Sequence, residues 1–455
     1  MASEGTPLVE EAPDTSDGSL KYEWSKFRKD FAALRSGPRS LWLMYLIAFL
    51  YGFGFFLASI VIVLFLTEDL GVSDLAASMV YGAMGLTFAL AAVMEGSVPD
   101  KFGIRICFLI AGVVLGAAGL VIGLAPTAFV AIAGLLVIMP VGSGIAIPVT
   151  KVGVKKYTHP DQRSTAYSML YIAVHGASAF AAVLVDVLIT STDSVGGFSI
   201  YRVIILVGAV LSLSTSVVAY FLQDMDVEET AEREPINHNQ QSEYWLMMER
   251  VTKRFQFKIL LIVVLILVFV KSAYRQLDVT FPRYMRREMG DDAHFGLVLA
   301  VHPFVLVFAA VFFTPLAFVL SPYWIMIIGS TISGLSCFIL LFGCTYYTCV
   351  LFVVFISLGE GMWNPRLYDY TLSLAPKGME GTFMALASSP LFLSMIVAGV
   401  MSGFLLWGLC PADGGSGCGL MWLIIGCVAL ISPIALLVGY RELKLEPKLL
   451  DIPRK

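Results

Sequence analysis

The chain of 455 residues is too apolar for a water-soluble protein, because 58% of its residues are hydrophobic and only 14% are charged. Its mean hydropathy is +0.82, whereas soluble domains carry about 25% charged residues. This composition excludes a soluble globule, a disordered chain and a nucleic-acid-binding protein with a basic face. The formal net charge of −4 says little, because the position of charge matters more than its sum in a membrane protein.

Twelve stretches are apolar and long enough to cross a bilayer, which takes about 20 residues of helix. They cover about 40–67, 75–98, 104–125, 128–150, 162–189, 201–222, 257–280, 294–320, 322–343, 348–372, 382–408 and 419–440. Backbone groups that face lipid must form hydrogen bonds within their own segment. The sequence therefore predicts an all-α integral membrane protein with twelve transmembrane helices.

A polar segment at 223–256 divides the apolar chain into two sets of six stretches. We expect two six-helix bundles at 39–222 and 257–441, joined by this segment as a cytoplasmic linker. Cytoplasmic tails at 1–38 and 442–455 complete the predicted organisation. Such an arrangement is typical of transporters that are built from two parallel repeats, each of which is an inverted repeat.

The placement of Lys and Arg predicts that both termini are cytoplasmic, since positive residues collect on that side of a membrane. With this orientation, the other side carries only Arg202, Arg283, Arg286 and Arg287. The polar N-terminal tail shows no signal-peptide pattern. Residues 4–9 faintly resemble an acidic dileucine sorting signal, and the plasma membrane and an endolysosomal or vacuolar membrane are both left open.

The loop predicted between spans 2 and 3 reads Gly-Ser-Val-Pro-Asp-Lys-Phe-Gly-Ile-Arg over residues 96–105. Its glycines permit a tight turn, and its bases suit lipid headgroups. The loop resembles the signature loop of the major facilitator superfamily. The residues that match are Gly96, Asp100, Lys101, Gly103 and Arg105. The resemblance implies that Asp100 contacts the start of span 11 and stabilises one access state. The corresponding loop of the second half lacks the Asp and the bases.

Three further patches resemble the proton-dependent oligopeptide transporter branch of that superfamily. They are residues 62–74, residues 166–175, and Glu360 together with the segment 375–386. Glu360 lies at the spacing of the substrate-binding glutamate of this branch. The resemblance implies that this glutamate binds the amino terminus of a peptide.

Other signature residues of the branch are missing from this chain. The helix-one signature, two Glu and an Arg spaced as ExxER, is replaced by Ala48, Tyr51 and Gly52. The lysine position of helix four holds Ile147, and Arg275 stands where helix seven carries a glutamate. The resemblance therefore implies the scaffold, and only Glu360 remains of the peptide-specific chemistry.

Charged residues within the predicted spans are the main candidates for a substrate or gating site, because a charge at the bilayer centre costs at least about 2.5–3.5 kcal/mol. Span 7 carries four candidates on one helical face, at i, i+3, i+4 and i+7: Lys271, Tyr274, Arg275 and Asp278. The two cations need nearby anions, and Glu360 is the obvious partner. A static ion pair is the alternative interpretation. We also expect Tyr51 to line the cavity.

The balance of these charges bears on the substrate. The cavity candidates include three cations, Lys271, Arg275 and Arg366, and two anions, Glu360 and Asp278, which leaves a positive surplus. This surplus favours a substrate with a carboxylate or phosphate, while Glu360 would bind an ammonium group or carry a proton. Arg366 could instead form a gate with Asp369.

Three more features are expected to matter. His175 in span 5 is a second candidate for proton coupling, because imidazole titrates near neutral pH, and His302 in span 8 is a weaker one. Pro365 either interrupts span 10 near Glu360 or kinks it. Cys410 and Cys418 share one loop on the non-cytoplasmic side and are candidates for a disulfide.

The sequence thus predicts a secondary active transporter of a small organic solute, one that is carboxylate-bearing and amino-acid-like or peptide-like, with possible proton coupling. No nucleotide-binding, zinc-binding or catalytic motif is recognised, so we expect no enzyme activity, cofactor, metal or nucleic-acid partner. The partners expected are the solute, protons and the lipid bilayer, and the protein is expected to be a monomer. The alternative is a non-transporting nutrient receptor on a transporter scaffold.

Overall fold

The computed structural model describes residues 37–95, 98–158, 163–223, 255–312, 320–374, 386–411 and 417–440, together with Arg35 and Phe383. Almost all of the predicted N-terminal tail and linker, and the whole of the predicted C-terminal tail, lie outside these residues. Eleven of the described helices are long and apolar enough to cross a membrane. A further helix, Phe295–Phe312, corresponds to the predicted eighth span and is described only to residue 312.

The first half contains spans 1 to 6. They are Arg39–Leu64 with a π-helical turn at Phe65–Asp69, Asp74–Glu95, Val98–Gly123, Ala128–Ala133 continuing through Gly134–Ile138 into Met139–Lys156, Arg163–Ser191, and Ile200–Tyr220. Span 1 packs on spans 5 and 6, and span 3 packs on spans 4 and 6. These contacts form one helical bundle.

The second half contains spans 7 to 12. They are Phe255–Val279, Phe295–Phe312, Pro322–Ser336 continuing as a 3₁₀ helix through Cys337–Phe342, Tyr346–Leu374, Pro390–Leu409 and Cys418–Val438. Span 10 packs on spans 8 and 9, and span 7 packs on spans 11 and 12. Together with the first half, this confirms the predicted fold class of two six-helix bundles.

The two halves meet along two pairs of helices, spans 2 and 11 and spans 5 and 8. Small residues allow this close approach, as is usual between membrane helices. A Cβ atom added to Gly399 of span 11 would lie 2.4 Å from the carbonyl oxygen of Ser78 and 2.7 Å from the amide nitrogen of Gly82. The halves therefore touch through their backbones at this point.

Three details go beyond the sequence-based expectation. A short polar helix, Phe281–Met289, follows span 7, and we call it the interspan helix. A two-residue hairpin, Ser194–Val195 with Phe198–Ser199, precedes span 6. Span 10 is a continuous helix through Pro365, which rules out the first of the two alternatives for this proline, an interruption of the span.

Two faces of the molecule are used below to locate residues. The terminal face is the one at which span 1 begins and span 2 ends. The opposite face is the one at which span 1 ends, and it includes Asp69, the interspan helix and the start of span 6. The central site lies between these faces, on spans 7, 8 and 10.

Candidate functional site

An ion pair between Lys271 and Glu360 lies at the centre of the candidate site. Lys271 Nζ bonds Glu360 Oε1, which joins the middle of span 7 to the middle of span 10. Lys271 is 5% exposed and Glu360 3% exposed. The predicted partnership between these two residues is therefore present, and both charges are shielded from water.

Aromatic rings surround the ammonium group of this pair. Lys271 Nζ lies 4.1 Å from the ring centroid of Tyr274 and 5.8 Å from that of Trp363. Such faces stabilise a cation. The indole nitrogen of Trp363 and the second carboxylate oxygen of Glu360 are buried and have no hydrogen-bond partner among the described residues. Both atoms are free to bind a polar ligand.

His302 of span 8 lies beside Glu360 and belongs to the same group. Its Nε2 is 3.9 Å from Glu360 Oε2, and its Nδ1 is 2.8 Å from Ser357 Oγ. Its ring also packs on Tyr274, with centroids 4.8 Å apart. From the sequence, His302 is a weaker candidate than His175, and only the three-dimensional packing reveals its contact with the carboxylate.

Span 5 of the first half faces this group from the other side. Tyr171 and His175 stack with ring centroids 4.1 Å apart, and the charge of Glu360 acts on both. Lys271 and His302 also interact electrostatically with His175. The ion pair of the second half is therefore within electrostatic reach of the first half.

Arg275 and Asp278 form a second, separate pair one turn further along span 7. Arg275 donates to Asp278 at 3.2 Å and to the carbonyl oxygen of Leu391 at 3.1 Å. Tyr81 of span 2 donates to Asp278 at 2.9 Å. This pair therefore connects span 7 of the second half to span 2 of the first half.

Two predicted residues lie away from the central group. Tyr51 stacks against Phe55 and lines a pocket within the first half together with Ser212. No described contact brings Tyr51 to Lys271 or Glu360. Arg366 donates to Asp369 at 2.6 Å, three residues further along span 10. This is the pairing proposed for a gate, so Arg366 is not counted among the charges of the central site.

The signature loop is described in part. Residues 98–102 are helical, and Gly103 breaks the helix with a φ of 77°, a conformation that favours glycine. The guanidinium carbon of Arg105 lies 5.0 Å from the centroid of the Tyr220 ring. Gly96 and the side chains of Asp100 and Lys101 lie outside the described residues, so the expected contact of Asp100 with span 11 remains a prediction.

A cluster of ion pairs lies on the opposite face. Arg286 of the interspan helix donates to Glu68 Oε1 at 2.6 Å and to Oε2 at 2.7 Å, and Tyr201 donates to Glu68 at 2.6 Å. Arg202 pairs with Asp69 at 2.7 Å. Burial alone would lower the pKa of Arg286, but its hydrogen bonds to Glu68 raise that pKa above its ordinary value.

Asp74 at the start of span 2 binds two arginines of the interspan helix. Arg283 lies 2.8 Å from one carboxylate oxygen and Arg287 lies 2.6 Å from the other. Burial lowers the pKa of Arg283 to about 10, against the opposing effect of Asp74, so the guanidinium stays charged at neutral pH. Arg287 also donates to the carbonyl oxygen of Cys410, and Cys410 is joined to Cys418 by a disulfide.

Asp186 of span 5 completes the contacts on this face. It accepts from the backbone amides of Gly296 and Leu297 at 3.0 and 3.2 Å and lies 2.8 Å from His294 Nδ1. Asp186 therefore caps the start of span 8, where a carboxylate interacts favourably with the helix dipole. For the contacts between the interspan helix and the acids at 68–74, the sequence carries a signal, namely acidic residues following span 1 and basic residues following span 7.

Comparison with known proteins agrees with this architecture. Residues 44–399 match the family model described as Major Facilitator Superfamily, and the chain belongs to that superfamily. The family fold has twelve spans, which supports the assignment of Phe295–Phe312 as the eighth. No match was found among curated proteins.

Solved transporter structures share the fold at low sequence identity. One, from work on substrate recognition in proton-dependent oligopeptide transporters, has a TM-score of 0.70 and 17% identity over 89% of this chain and 99% of that chain. A mutant of the nucleoside transporter NupG has a TM-score of 0.74 and 12% identity, over 88% of this chain and 100% of that chain. A POT family transporter in complex with 5-aminolevulinic acid has a TM-score of 0.71 and 13% identity, over 90% of this chain and 97% of that chain. These similarities establish the transporter fold.

Proposed function

We propose that the protein is a secondary active transporter that moves a small carboxylate-bearing solute, amino-acid-like or peptide-like, by alternating access. The observation that carries the proposal is the buried Lys271–Glu360 pair, which lies between aromatic rings and beside polar atoms without partners. A static buried ion pair adds little to stability, so a role in binding explains its presence better.

In this proposal each member of the pair has its own task. Lys271 binds the carboxylate of the solute, because an ammonium group is a natural partner for that anion. Glu360, released from Lys271, binds an ammonium group of the solute or carries a proton. Tyr274 and Trp363 supply the walls of the site, and the Trp363 indole nitrogen offers a further donor.

Movement of the halves would use the contacts that connect them. Arg275 and Asp278 join span 7 to Tyr81 of span 2, and we propose that they act in gating. The ion pairs of the opposite face would break when that face opens. Pairing of Asp100 with the start of span 11 would stabilise one access state from the terminal face.

The orientation follows from the distribution of Lys and Arg. We propose that the terminal face is cytoplasmic, with both termini on that side, in the plasma membrane or an endolysosomal or vacuolar membrane. The protein would act as a monomer with six spans in each half. Coupling to protons would supply the driving force.

Counterflow into proteoliposomes tests the proposed function directly. Proteoliposomes that contain the wild-type protein are loaded with a mixed unlabelled pool of peptides, amino acids and organic anions. The same pool in labelled form is then added outside. We expect the label of one class to accumulate, and we expect Glu360→Gln to abolish that uptake. Glu288→Gln, which makes the same chemical change on an exposed side chain of the interspan helix, is the matched control and should behave as wild type.

The same experiment separates the proposal from its rival. If no label enters with wild-type protein while thermal-shift measurements still show binding of a solute, the non-transporting receptor is favoured. If uptake occurs and Glu360→Gln transports as well as wild type, the assignment of the site to span 10 is wrong.

A further inference from the structure

We propose that His302 and Glu360 share a proton and form the proton-binding site of this protein. The inference deepens the proposed function and rests on it for the consequence of proton binding, but the site itself is defined by geometry. His302 lies on span 8 and Glu360 on span 10, and their side chains are 5% and 3% exposed.

The hydrogen bonds of Ser357 fix the tautomer of the histidine. Ser357 Oγ donates its only proton to the carbonyl oxygen of Val353, one turn earlier in span 10. The contact between Ser357 Oγ and His302 Nδ1, 2.8 Å long, must therefore be donated by the histidine. A neutral imidazole with hydrogen on Nδ1 carries a free electron pair on Nε2.

That electron pair faces another acceptor. His302 Nε2 and Glu360 Oε2 are 3.9 Å apart, and neither has a hydrogen-bond partner among the described residues. Two buried acceptors that face each other without a donor are costly. One proton satisfies both, because it converts either group into the donor of a hydrogen bond to the other.

At 3.9 Å the two atoms are too far apart for a direct hydrogen bond. A small rotation of either side chain would close the pair to hydrogen-bond distance. The proton comes from the aqueous phase, and the net charge of the site rises by one when it binds.

The other charged and titratable groups around Glu360 come from three spans. Lys271 bonds the other carboxylate oxygen, and Tyr274 lies on the same face of span 7. Tyr171 and His175 face the site from span 5, and Tyr368 lies on span 10 itself. Arg275 and Asp278 also act on Lys271. Lys271 contacts Oε1 of Glu360 whereas His302 faces Oε2, so the two contacts use different oxygens of the carboxylate.

Proton binding would prepare the site for an anionic solute. The proton adds one positive charge beside Glu360 and weakens its hold on Lys271, which leaves the ammonium group of Lys271 free for a carboxylate, while Glu360 remains able to bind an ammonium group of the solute. This step depends on the proposed function, whereas occupancy of the site by a proton does not.

Infrared difference spectroscopy of the purified full-length protein in lipid bilayers tests the site with pH steps alone. We expect a carboxylic-acid C=O band that titrates between about pH 5 and 8 and that is lost in Glu360→Gln. In His302→Gln the midpoint should fall by about one pH unit or more, a tenfold loss of proton affinity. His175→Gln should shift it less, because no hydrogen-bond path joins that ring to Glu360 among the described contacts.

A second variant covers the case in which His302→Gln fails to fold. Ser357→Ala frees the imidazole to place its hydrogen on Nε2 and donate to the Glu360 carboxylate, so the midpoint should again fall. The proposal is overturned if wild type shows neither a Glu360-dependent carboxylic-acid band nor a His302-dependent imidazolium band in this range. It is also overturned if His302→Gln and Ser357→Ala titrate as wild type, or if His175→Gln causes the larger shift.

The outcome is independent of whether a solute is found. A band that behaves as expected, together with an absence of counterflow, would retain the proton site and reject the transporter. Counterflow retained in His302→Gln, with loss of solute accumulation driven by a pH gradient, would support both. Counterflow and gradient-driven accumulation both unchanged in that variant would contradict a role of the shared proton in coupling.

Discussion

Arg286 of the second half donates to both carboxylate oxygens of Glu68 of the first half, at 2.6 and 2.7 Å, across the opposite face. The other pairs that cross between the halves on this face show the same division of charge, since the first half contributes the acids and the second half contributes the bases. The acids of these pairs are Asp74 and Asp186, and the bases are Arg283, Arg287 and His294. Closure of this face is therefore favoured electrostatically, and its opening separates unlike charges.

A double-mutant cycle on Glu68→Gln and Arg286→Gln should reveal this attraction. Because the Glu68 side chain is 40% exposed, we expect a coupling of only about 0.5–1 kcal/mol. Thermal unfolding of the four proteins in detergent gives the coupling. It should shrink when salt is raised to about 1 M, where the Debye length is near 3 Å. Strictly additive effects at low salt would show that the pair contributes nothing.

The two arginines on Asp74 should differ in their effect on stability. Arg283 is 3% exposed and also donates to Ser78 at 2.9 Å and Ser402 at 3.1 Å. Its loss in Arg283→Met leaves several buried acceptors without a donor, and we expect a cost of about 3 kcal/mol or more. Arg287→Met removes a side chain that is 15% exposed and should cost about 1 kcal/mol.

Thermal unfolding of both variants measures this difference, and the two substitutions are matched in chemistry and helix. Equal destabilisation would mean that the deeper burial of Arg283 does not increase its contribution to the free energy of unfolding. A larger effect of Arg287→Met would point instead to its bond with the Cys410 carbonyl.

Hydropathy alone was sufficient to predict the twelve spans and the division into halves, because lipid requires long apolar helices with internal hydrogen bonds. Helical periodicity also placed Lys271 and Arg275 on one face of span 7. The interspan helix was missed because residues 281–289 contain three arginines and are too short for a span signal. The sequence could not decide between an interruption and a kink at Pro365, because neighbouring helices can support a proline within a membrane helix.

The candidate site was predictable only where charge stood out against an apolar background. Lys271 and Glu360 met that condition, and their pairing across two spans was expected on electrostatic grounds. His302 and Trp363 did not, because an imidazole and an indole are ordinary residues of membrane helices. Tyr51 was assigned by its register in span 1, and that register could not show that it lines a pocket inside the first half.

The contact between spans 2 and 11 predicts a specific glycine effect. A methyl group at Gly399 would lie 2.4 Å from the Ser78 carbonyl oxygen, and backbone atoms cannot move aside as a side chain can. We expect Gly399→Ala to cost about 1–3 kcal/mol and to slow the relative movement of the halves. Gly408→Ala on the same helix is the control, since nothing lies within 4 Å of its added methyl group. Comparable unfolding temperatures for both variants would contradict this packing.

Neutralising the central ion pair should separate its structural role from its functional one. Lys271→Met leaves the Glu360 carboxylate buried without its partner, and breaking such a pair typically costs about 3–5 kcal/mol. The double variant Lys271→Met/Glu360→Gln has no buried charge at this position, so most of the lost stability should return. Counterflow should nevertheless remain absent in the double variant, because neither the carboxylate nor the ammonium group of a solute can then be bound. Restored stability with restored uptake would mean that the pair is a structural ion pair and that the solute binds elsewhere.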